Sequence, residues 1–556
     1  MSIIIPHQPA VEVGPERKQL DVMMPCRDGV SLATDFYFPA EGDGPWPTAV
    51  GRTPYIKDNP ALTGLARAYN ARGYVLVVQD VRGRGKSEGE FQPWRQEPND
   101  GSDTFAWIAD QSWSDGNVTT QGASYSAQAS WLTALSKPPA LKAMVISTAP
   151  SDPFVEFPTC GIPLSMLLWY SITGNRELPS NLQEIDWGAV FNHLPLITMD
   201  EAAGLPSRLW KVAMEHSRRD DFWEPLRYQH RIQEVDIPVM HISGWYDDEQ
   251  IGTPLNYRLV SGGAPSEKTR KAQRLLMGPW GHAVNAGTKL GQVEFGPTAQ
   301  IDLQNRMIDF LDAALGRREQ LDQAPVRIFV MGENAWRDER EWPLARTQYT
   351  DYFLHGEGVL DTSAPDSDQP ADVYRYDPAD PTPFIFDYKS LQIGGPDDYA
   401  EIEKRPDVLC YTTPPLDMDI EVTGPVRARL FISSSAVDTD FAAKLVDVHP
   451  DGFCQRLCDG IVRGRYREGV DREAFLEPGA TYELDIDMWN TCQVFKAGHR
   501  IRLEVASAAF PKFDRNLNTG EPIATSTRMA VAENRVWHDP AHPSRVVLPV
   551  IPGGVT

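Results

Sequence analysis

Cysteine is scarce in this chain. Six are spread over 556 residues, at spacings that make no disulfide framework. A small stapled secreted scaffold is excluded, and a reduced, cytoplasmic protein is expected. Long apolar runs are also missing, since no stretch approaches the ~20 residues of a membrane span. The N-terminal stretch MSIIIPHQPAVEVGPERK lacks a basic start followed by a long apolar segment, so no secretory signal is read there. Positive charge is in deficit. Lys and Arg number 53 against 77 Asp and Glu, a net charge of -24, which argues against nucleic acid and anionic membranes as partners. Neutral or cationic substrates are mildly favoured. Short repeats and low-complexity tracts are absent. A chain of this length exceeds one core, so two or three domains are expected.

What is present centres on Thr119-Thr120-Gln121-Gly122-Ala123-Ser124-Tyr125-Ser126-Ala127. A serine becomes a nucleophile where the backbone turns so sharply that its hydroxyl projects. A strand-to-helix elbow does this and needs small residues two positions to either side. Gly122 and Ser126 hold those places. Glycine is usual at both, so Ser126 is a departure, though still small. Asn117 to Thr119 reads as the end of a buried strand, and Ser126 to Leu135 as a helix. A Gly-x-Ser triplet also arises by chance, so its weight depends on finding a histidine, a carboxylate and an oxyanion donor elsewhere.

Strands and helices alternate around this elbow. Lys18 to Pro25 and Val30 to Pro39 read as a hairpin around Arg27-Asp28-Gly29. Pro47 to Gly51, Tyr74 to Gln79 and Leu141 to Ile146 read as buried strands, and Leu65 to Arg72 and Asp100 to Asp110 as helices. The pattern predicts a doubly wound, mostly parallel sheet. Gly85-Lys86-Ser87 resembles the end of a phosphate-binding loop, but Asp80 stands where that loop needs its first glycine. Nucleotide binding is therefore rejected.

From Ala149 to about Val235 the alternation breaks. Prolines, helical stretches such as Glu201 to Ser217, and the aromatics Phe154, Phe157, Trp169, Tyr170, Trp187, Trp210 and Trp223 suggest an inserted helical cap. Most of these rings are expected to pack the cap's own core; Trp169, with Trp245 outside the cap, is carried as a candidate substrate-binding residue. Beyond Gln348 short alternating segments (Val426 to Ile432, Phe441 to Val448, Tyr482 to Met488, Arg500 to Val505) predict a β-sandwich or jelly roll. Cys454 and Cys458 have no second ligand pair at finger-like spacing and are read as thiols, not metal ligands. The expected domains are 1–148 and 236–347 for an α/β domain, 149–235 for the cap, and 348–556 for the jelly roll.

Ile237 to Ser243 resumes the strand pattern and ends in Gly244-Trp245-Tyr246-Asp247-Asp248-Glu249. Gln273 to Met277 ends in Gly278-Pro279-Trp280-Gly281-His282. Each sets an ionisable residue just past the carboxyl end of a strand, where open α/β sheets hold ligands. The order Ser124, Asp247, His282 is that of α/β-hydrolases. Ser124 would attack an acyl carbon, His282 would relay the proton, and Asp247 would orient the imidazole. The Tyr125 N–H and the Tyr55 phenol are the candidate oxyanion donors. His241 lies inside a strand and is read as a core histidine; His193, His216 and His230 are ordinary cap residues. A last helix is expected from Ile301 to Leu315, then a strand from Val326 to Val330.

Gly122-Ala123-Ser124-Tyr125, Gly244-Trp245-Tyr246-Asp247, Gly278-Pro279-Trp280-Gly281-His282, Asp80-Val81-Arg82-Gly83-Arg84-Gly85 and Pro54-Tyr55 together resemble the cocaine-esterase-like (CocE/NonD) serine hydrolases. X-prolyl dipeptidyl aminopeptidases and α-amino-acid ester hydrolases are among their relatives. The resemblance covers nearly the whole chain, with Trp489 to Arg502 matching a late jelly-roll segment. It implies an α/β-hydrolase domain with a helical cap and a jelly roll, the triad Ser124, Asp247 and His282, and an oxyanion hole of Tyr55 and Tyr125. Members that bind a free α-amino group use a carboxylate cluster near the triad. Glu249, Asp248 and one of Asp152 or Glu156 are candidates, with Gln250 where another acid is expected. The preferred alternative is that Asp248 and Glu249 cap the following helix.

The expected activity is hydrolysis of a small-molecule ester or amide through an acyl-enzyme, without metal or cofactor. The alternatives are an α-amino-acid ester hydrolase or acylase, an X-prolyl dipeptidyl aminopeptidase, or, from another class, a carbohydrate-binding protein with an inert hydrolase domain. Homo-oligomerisation is left open.

Overall fold

The computed structural model describes residues 17–60, 64–156, 164–319, 321, 323–388 and 392–553. Phe157 and the stretch 1–16 read for a signal lie outside the described residues. Strands β1 (Lys18–Pro25) and β2 (Ser31–Tyr37) form the hairpin expected around Arg27-Asp28-Gly29. They are followed by β3 (Trp46–Thr53), β4 (Val75–Asp80), β5 (Ser114–Ala123) and β6 (Leu141–Ser147). Next come β7 (Val239–Gly244) and β8 (Arg274–Gly278). A short ribbon of β9 (Lys289–Leu290) and β10 (Val293–Glu294) precedes β11 (Val326–Val330) and β12 (Ala335–Glu339).

The ten longer strands make one sheet in the order β1-β2-β4-β3-β5-β6-β7-β8-β11-β12. Every pairing from β4 to β11 is parallel. The edges, β1–β2, β2–β4 and β11–β12, are antiparallel. Strand β4 is buried at every position, because a parallel sheet is covered on both faces, and this is why it reads as an unbroken apolar run. In β7, His241 bonds Gln273 at 3.1 Å, and burial pulls its pKa to about 4, as befits a core histidine.

Between β6 and β7 the chain is helical. The stretch Glu201 to Ser217 is not one helix but two, Met199–Ala202 and Arg208–Glu215. Gly204, at φ +69, and Pro206 separate them. Trp187, Trp210 and Trp223 are buried in the core of this region.

The C-terminal part is a β-rich jelly-roll domain, its described residues built on an eleven-stranded sheet whose first strand is Gln348–His355. Its longest strand, Ile420–Ser434, pairs along Tyr482–Phe495 with a bulge between Pro425 and Arg427. Proline has no N–H to give a ladder, so it sits at an irregularity. Asp440–Val448 pairs with Cys454–Arg463 on one side and with Arg500–Ala506 on the other. Cys454 and Cys458 thus lie in one strand as buried thiols whose pKa values burial raises. A shared core joins the domains: Trp245, Leu275, Phe329 and Trp342 pack with Cys492, Val494 and Ile551.

Candidate active site

Ser124 stands between β5 and the helix Tyr125–Leu135, with φ 56 and ψ -125. A non-glycine residue in that region is strained by about 1–3 kcal/mol and persists only when its surroundings impose it. They do so here. The Ser124 N–H is held by the carbonyls of Ser147 (3.2 Å) and Thr148 (3.0 Å) at the end of β6. Gly122 lets strand and helix close: a Cβ there would come within 2.4 Å of the Ser126 carbonyl oxygen. Ser126 is accommodated by donating its hydroxyl to the Arg52 carbonyl at 2.6 Å.

The ends of β7 and β8 bring Asp247 and His282 together. His282 Nδ1 lies 2.8 Å from Asp247 Oδ1. The other carboxylate oxygen accepts from Ser243 at 2.6 Å, and Oδ1 also accepts from the Glu249 N–H at 3.1 Å. Asp247 is 3 % exposed. Gly244 allows the two loops to touch, because a Cβ there would sit 2.0 Å from the Trp280 carbonyl oxygen. Burial opposes charge on His282, but Glu249, Asp247 and Asp248 outweigh it and hold the imidazole well above its ordinary pKa.

Tyr55 follows β3. Its phenol accepts a hydrogen bond from Trp169 Nε1 at 3.0 Å and interacts with the Ser124 hydroxyl. Burial raises its pKa, so it stays a neutral donor. The Tyr125 ring is anchored beneath the elbow. Its phenol donates to Glu97 at 2.7 Å and accepts from the Trp94 N–H at 3.1 Å. Glu97 in turn pairs with Arg52. Trp94 stacks on Trp169 with centroids 5.1 Å apart and planes at 10°. These three rings stack on one another, and Trp169 joins the stack to Tyr55.

Asp248 and Glu249 do not cap a helix, contrary to the preferred expectation. The next helix begins only at Gly252, with no acid in its first turn. Both acids face His282 instead, at 3.4 and 3.9 Å from Nδ1. Glu156, 2 % exposed, joins them. Burial, then repulsion from Glu249, Asp247 and Asp248, raises its pKa well above the ordinary value. Glu249 is raised in the same way, by burial and by its acidic neighbours against the pull of His282. Glu156 Oε1 and Glu249 Oε2 are buried without a hydrogen-bond partner among the described residues. Asp152, the other candidate, is paired with Arg227.

Trp245 lies elsewhere. It is 2 % exposed, donates to the Phe329 carbonyl at 2.8 Å and packs against Trp342 in the inter-domain core, so it corrects the expectation of a substrate contact. Gln250, where an acid was expected, exchanges hydrogen bonds with the backbone of Asn490 in the jelly roll; a carboxylate there could not donate. Sequence reasoning missed the jelly roll's own contribution. Lys512 lies 4.9 Å from the Trp489 ring, bonds Asp459 at 2.7 Å, and its charge reaches Asp248. With Glu156 and Phe513 it lines a cleft.

A parallel sheet with a strained serine after β5, and an Asp–His pair after β7 and β8, defines a serine hydrolase of the α/β-hydrolase fold. Comparison with known proteins narrows this. The family model described as X-Pro dipeptidyl-peptidase (S15 family) matches residues 28–284. The model for the X-Pro dipeptidyl-peptidase C-terminal non-catalytic domain matches residues 321–547. Cocaine esterase of Rhodococcus sp. (strain MB1 Bresler) is 39% identical over 572 residues, covering 96% of this chain and 98% of that protein. An α-amino acid ester hydrolase structure superposes with a TM-score of 0.88 at 26% identity, over 98% of each chain. An aminopeptidase from a marine sediment Thaumarchaeota archaeon gives 0.86 at 26% identity, over 99% of each. The chain belongs to the cocaine-esterase-like (CocE/NonD) serine hydrolases of the X-Pro dipeptidyl-peptidase family, as its motifs implied, and it is a serine carboxylester hydrolase. Among the described residues no helix is long and apolar enough to cross a membrane.

Proposed function

We propose that Ser124 is the nucleophile, His282 the general base and acid, and Asp247 the residue that orients the imidazole. Ser124 Oγ adds to the carbonyl carbon of a small-molecule ester while His282 takes its proton. The tetrahedral oxyanion is held by the Tyr55 phenol and the Tyr125 N–H. It collapses as His282 protonates the leaving alcohol, and water repeats the cycle on the acyl-enzyme. The observation that carries this reading is the Ser124 backbone, forced to φ 56 after β5, together with the Asp247–His282 pair at the ends of β7 and β8. A fluorophosphonate probe with mass mapping tests it, alongside p-nitrophenyl ester turnover. Labelling at Ser124, with both signals lost in Ser124→Ala, is expected. Labelling elsewhere, or turnover that survives the substitution, would overturn it.

A second reading concerns the acyl part. Asp248 and Glu249, both half-buried, lie within 4 Å of His282, the buried Glu156 stands close enough to Glu249 to feel its charge, and one oxygen each of Glu156 and Glu249 lacks a partner among the described residues. Such a cluster favours a cation, and an α-ammonium group on the acyl carbon's neighbour fits it. The α-amino acid ester hydrolase likeness points the same way. Comparing an aminoacyl ester with its N-acetylated counterpart tests this. Preference for the free amine, abolished in Glu249→Gln, supports it; equal turnover of both does not.

A further inference from the structure

A second cluster of ligating side chains lies outside the catalytic region, at one end of the jelly-roll ladder. We propose that Asp447, His449 and His499 form a divalent transition-metal site for which Zn²⁺ is the best-fitting ion. Asp440–Val448 runs antiparallel to Arg500–Ala506, with Asp447 opposite Ile501 and Val448 opposite Arg500. Continuing that register by one residue sets His449 opposite His499. Directly opposed residues hold their Cβ atoms about 4.5–5.5 Å apart. Asp447, two positions before His449, shares its face.

The donor atoms all lie within 4.8 Å of one another. His499 Nδ1 is 2.8 Å from Asp447 Oδ1, and His449 Nε2 is 3.9 Å from Asp447 Oδ2. The two imidazole centroids are 4.4 Å apart. Two nitrogens and one carboxylate suit zinc and its neighbours, whereas Ca²⁺ and Mg²⁺ prefer oxygen throughout. Zinc–ligand bonds of about 2.0–2.2 Å place tetrahedral neighbours about 3.3 Å apart. Side-chain rotation on fixed strands closes the present spread.

The supporting groups are in place. Gln493 Nε2 donates to Asp447 Oδ2 at 2.8 Å and orients the carboxylate, as outer hydrogen bonds do at metal sites. Gln455 Oε1 lies 3.2 Å from His449 Nε2, a contact that the imidazole would exchange for the ion. Asp447 is fully buried while both imidazoles are partly exposed, so the ion has an entry path and an open position. Gln455 also donates to the Tyr246 phenol at 3.2 Å. An ion here would therefore brace the jelly roll against the loop that carries Asp247.

Chelator-stripped protein titrated with Zn²⁺ by calorimetry tests the site. Asp247, Asp248 and His282 also converge closely enough to bind an ion, so His282→Ala is run beside the double variant His449→Ala/His499→Ala. One equivalent is expected to bind both the wild type and His282→Ala. In the double variant the affinity is expected to fall more than the roughly 10–100-fold that outer-partner changes cost. Binding that survives the double substitution, or that disappears only with His282, overturns the proposal. If circular dichroism shows the double variant unfolded, wild-type crystals grown with Zn²⁺ decide. An anomalous peak among the three side chains supports the site, and no peak there refutes it.

Discussion

Trp169 donates its indole N–H to the Tyr55 phenol oxygen at 3.0 Å. With one lone pair engaged by Trp169, the phenol keeps its own proton to donate, and Ser124 is its other hydrogen-bonding neighbour. Two elements far apart in sequence thus aim one donor. Loss of an oxyanion donor typically costs about 10²–10³ in rate, so Tyr55→Phe is expected to lower kcat by that factor with little change in KM. Trp169→Phe keeps the donor and loses its orientation, a neutral hydrogen bond of about 1 kcal/mol, or about fivefold in kcat. Steady-state kinetics on p-nitrophenyl acetate measure both. Equal losses in the two variants would contradict the division of labour.

The acids around His282 set the pH at which it works. Its pKa is raised above the ordinary 6.5, because Glu249, Asp247 and Asp248 outweigh burial. In the proposed mechanism His282 is the general base and must be neutral, so kcat/KM is expected to rise as pH climbs through that raised value. Glu249→Gln removes the strongest of the attractions that favour the charged imidazole. In Glu249→Gln the limb should move to lower pH. The profile belongs to the coupled cluster and not to one residue, so the comparison between proteins is what counts. An unmoved limb would show that Glu249 carries no charge when His282 titrates.

Glu156 predicts a stability effect of definite sign. Its folded pKa is raised, chiefly by burial and then by Glu249, so the folded state holds this proton more tightly than the unfolded chain does. The stabilising contribution is full below the ordinary glutamate value near 4.5 and is lost as pH rises through the raised one. Glu156→Gln carries no such proton. Its Tm, relative to wild type, should therefore improve steadily from acid toward neutral and alkaline pH. Thermal melts across that range measure the difference; a constant offset would mean that Glu156 holds its proton no more tightly folded than unfolded.

The sheet and the Ser–Asp–His order were legible because they depend on local signals. Buried parallel strands such as β4 are unbroken apolar runs, and each ionisable residue follows a strand end. Other features depend on contacts between distant segments. Glu156 matters because a short helix after β6 turns it toward Glu249. Trp245 reads as a pocket residue because the sequence does not show how the turn after β7 aims its side chains. While Asp247 turns to His282, Trp245 turns to Phe329. Asp248 and Glu249 read as helix caps because the helix at Gly252 starts without a capping side chain, leaving no mark in the sequence.

Ser126 stands where a second glycine is usual, and its hydroxyl reaches the Arg52 carbonyl at the end of β3. That bond ties the first turn of the helix to the strand beside β5, so the departure is a fastening and not a flaw. Restoring glycine should therefore weaken the protein. The lost hydrogen bond is worth about 1 kcal/mol, and glycine in place of serine adds about 0.5 kcal/mol of helix cost. Ser126→Gly should thus unfold in urea about 1–2 kcal/mol more readily while still turning over ester. Gly122→Ala is the opposite case. Its Cβ would meet Ser126 backbone atoms at 2.4 and 2.5 Å, and backbone cannot step aside as a side chain tip can. Overpacking of this kind costs about 1–3 kcal/mol, and here the displaced atoms carry Ser124 and the Tyr125 N–H. Activity should fall far more than stability in Gly122→Ala, and stability more than activity in Ser126→Gly. The reverse ranking would mean that the elbow is not held by this strand-to-helix contact.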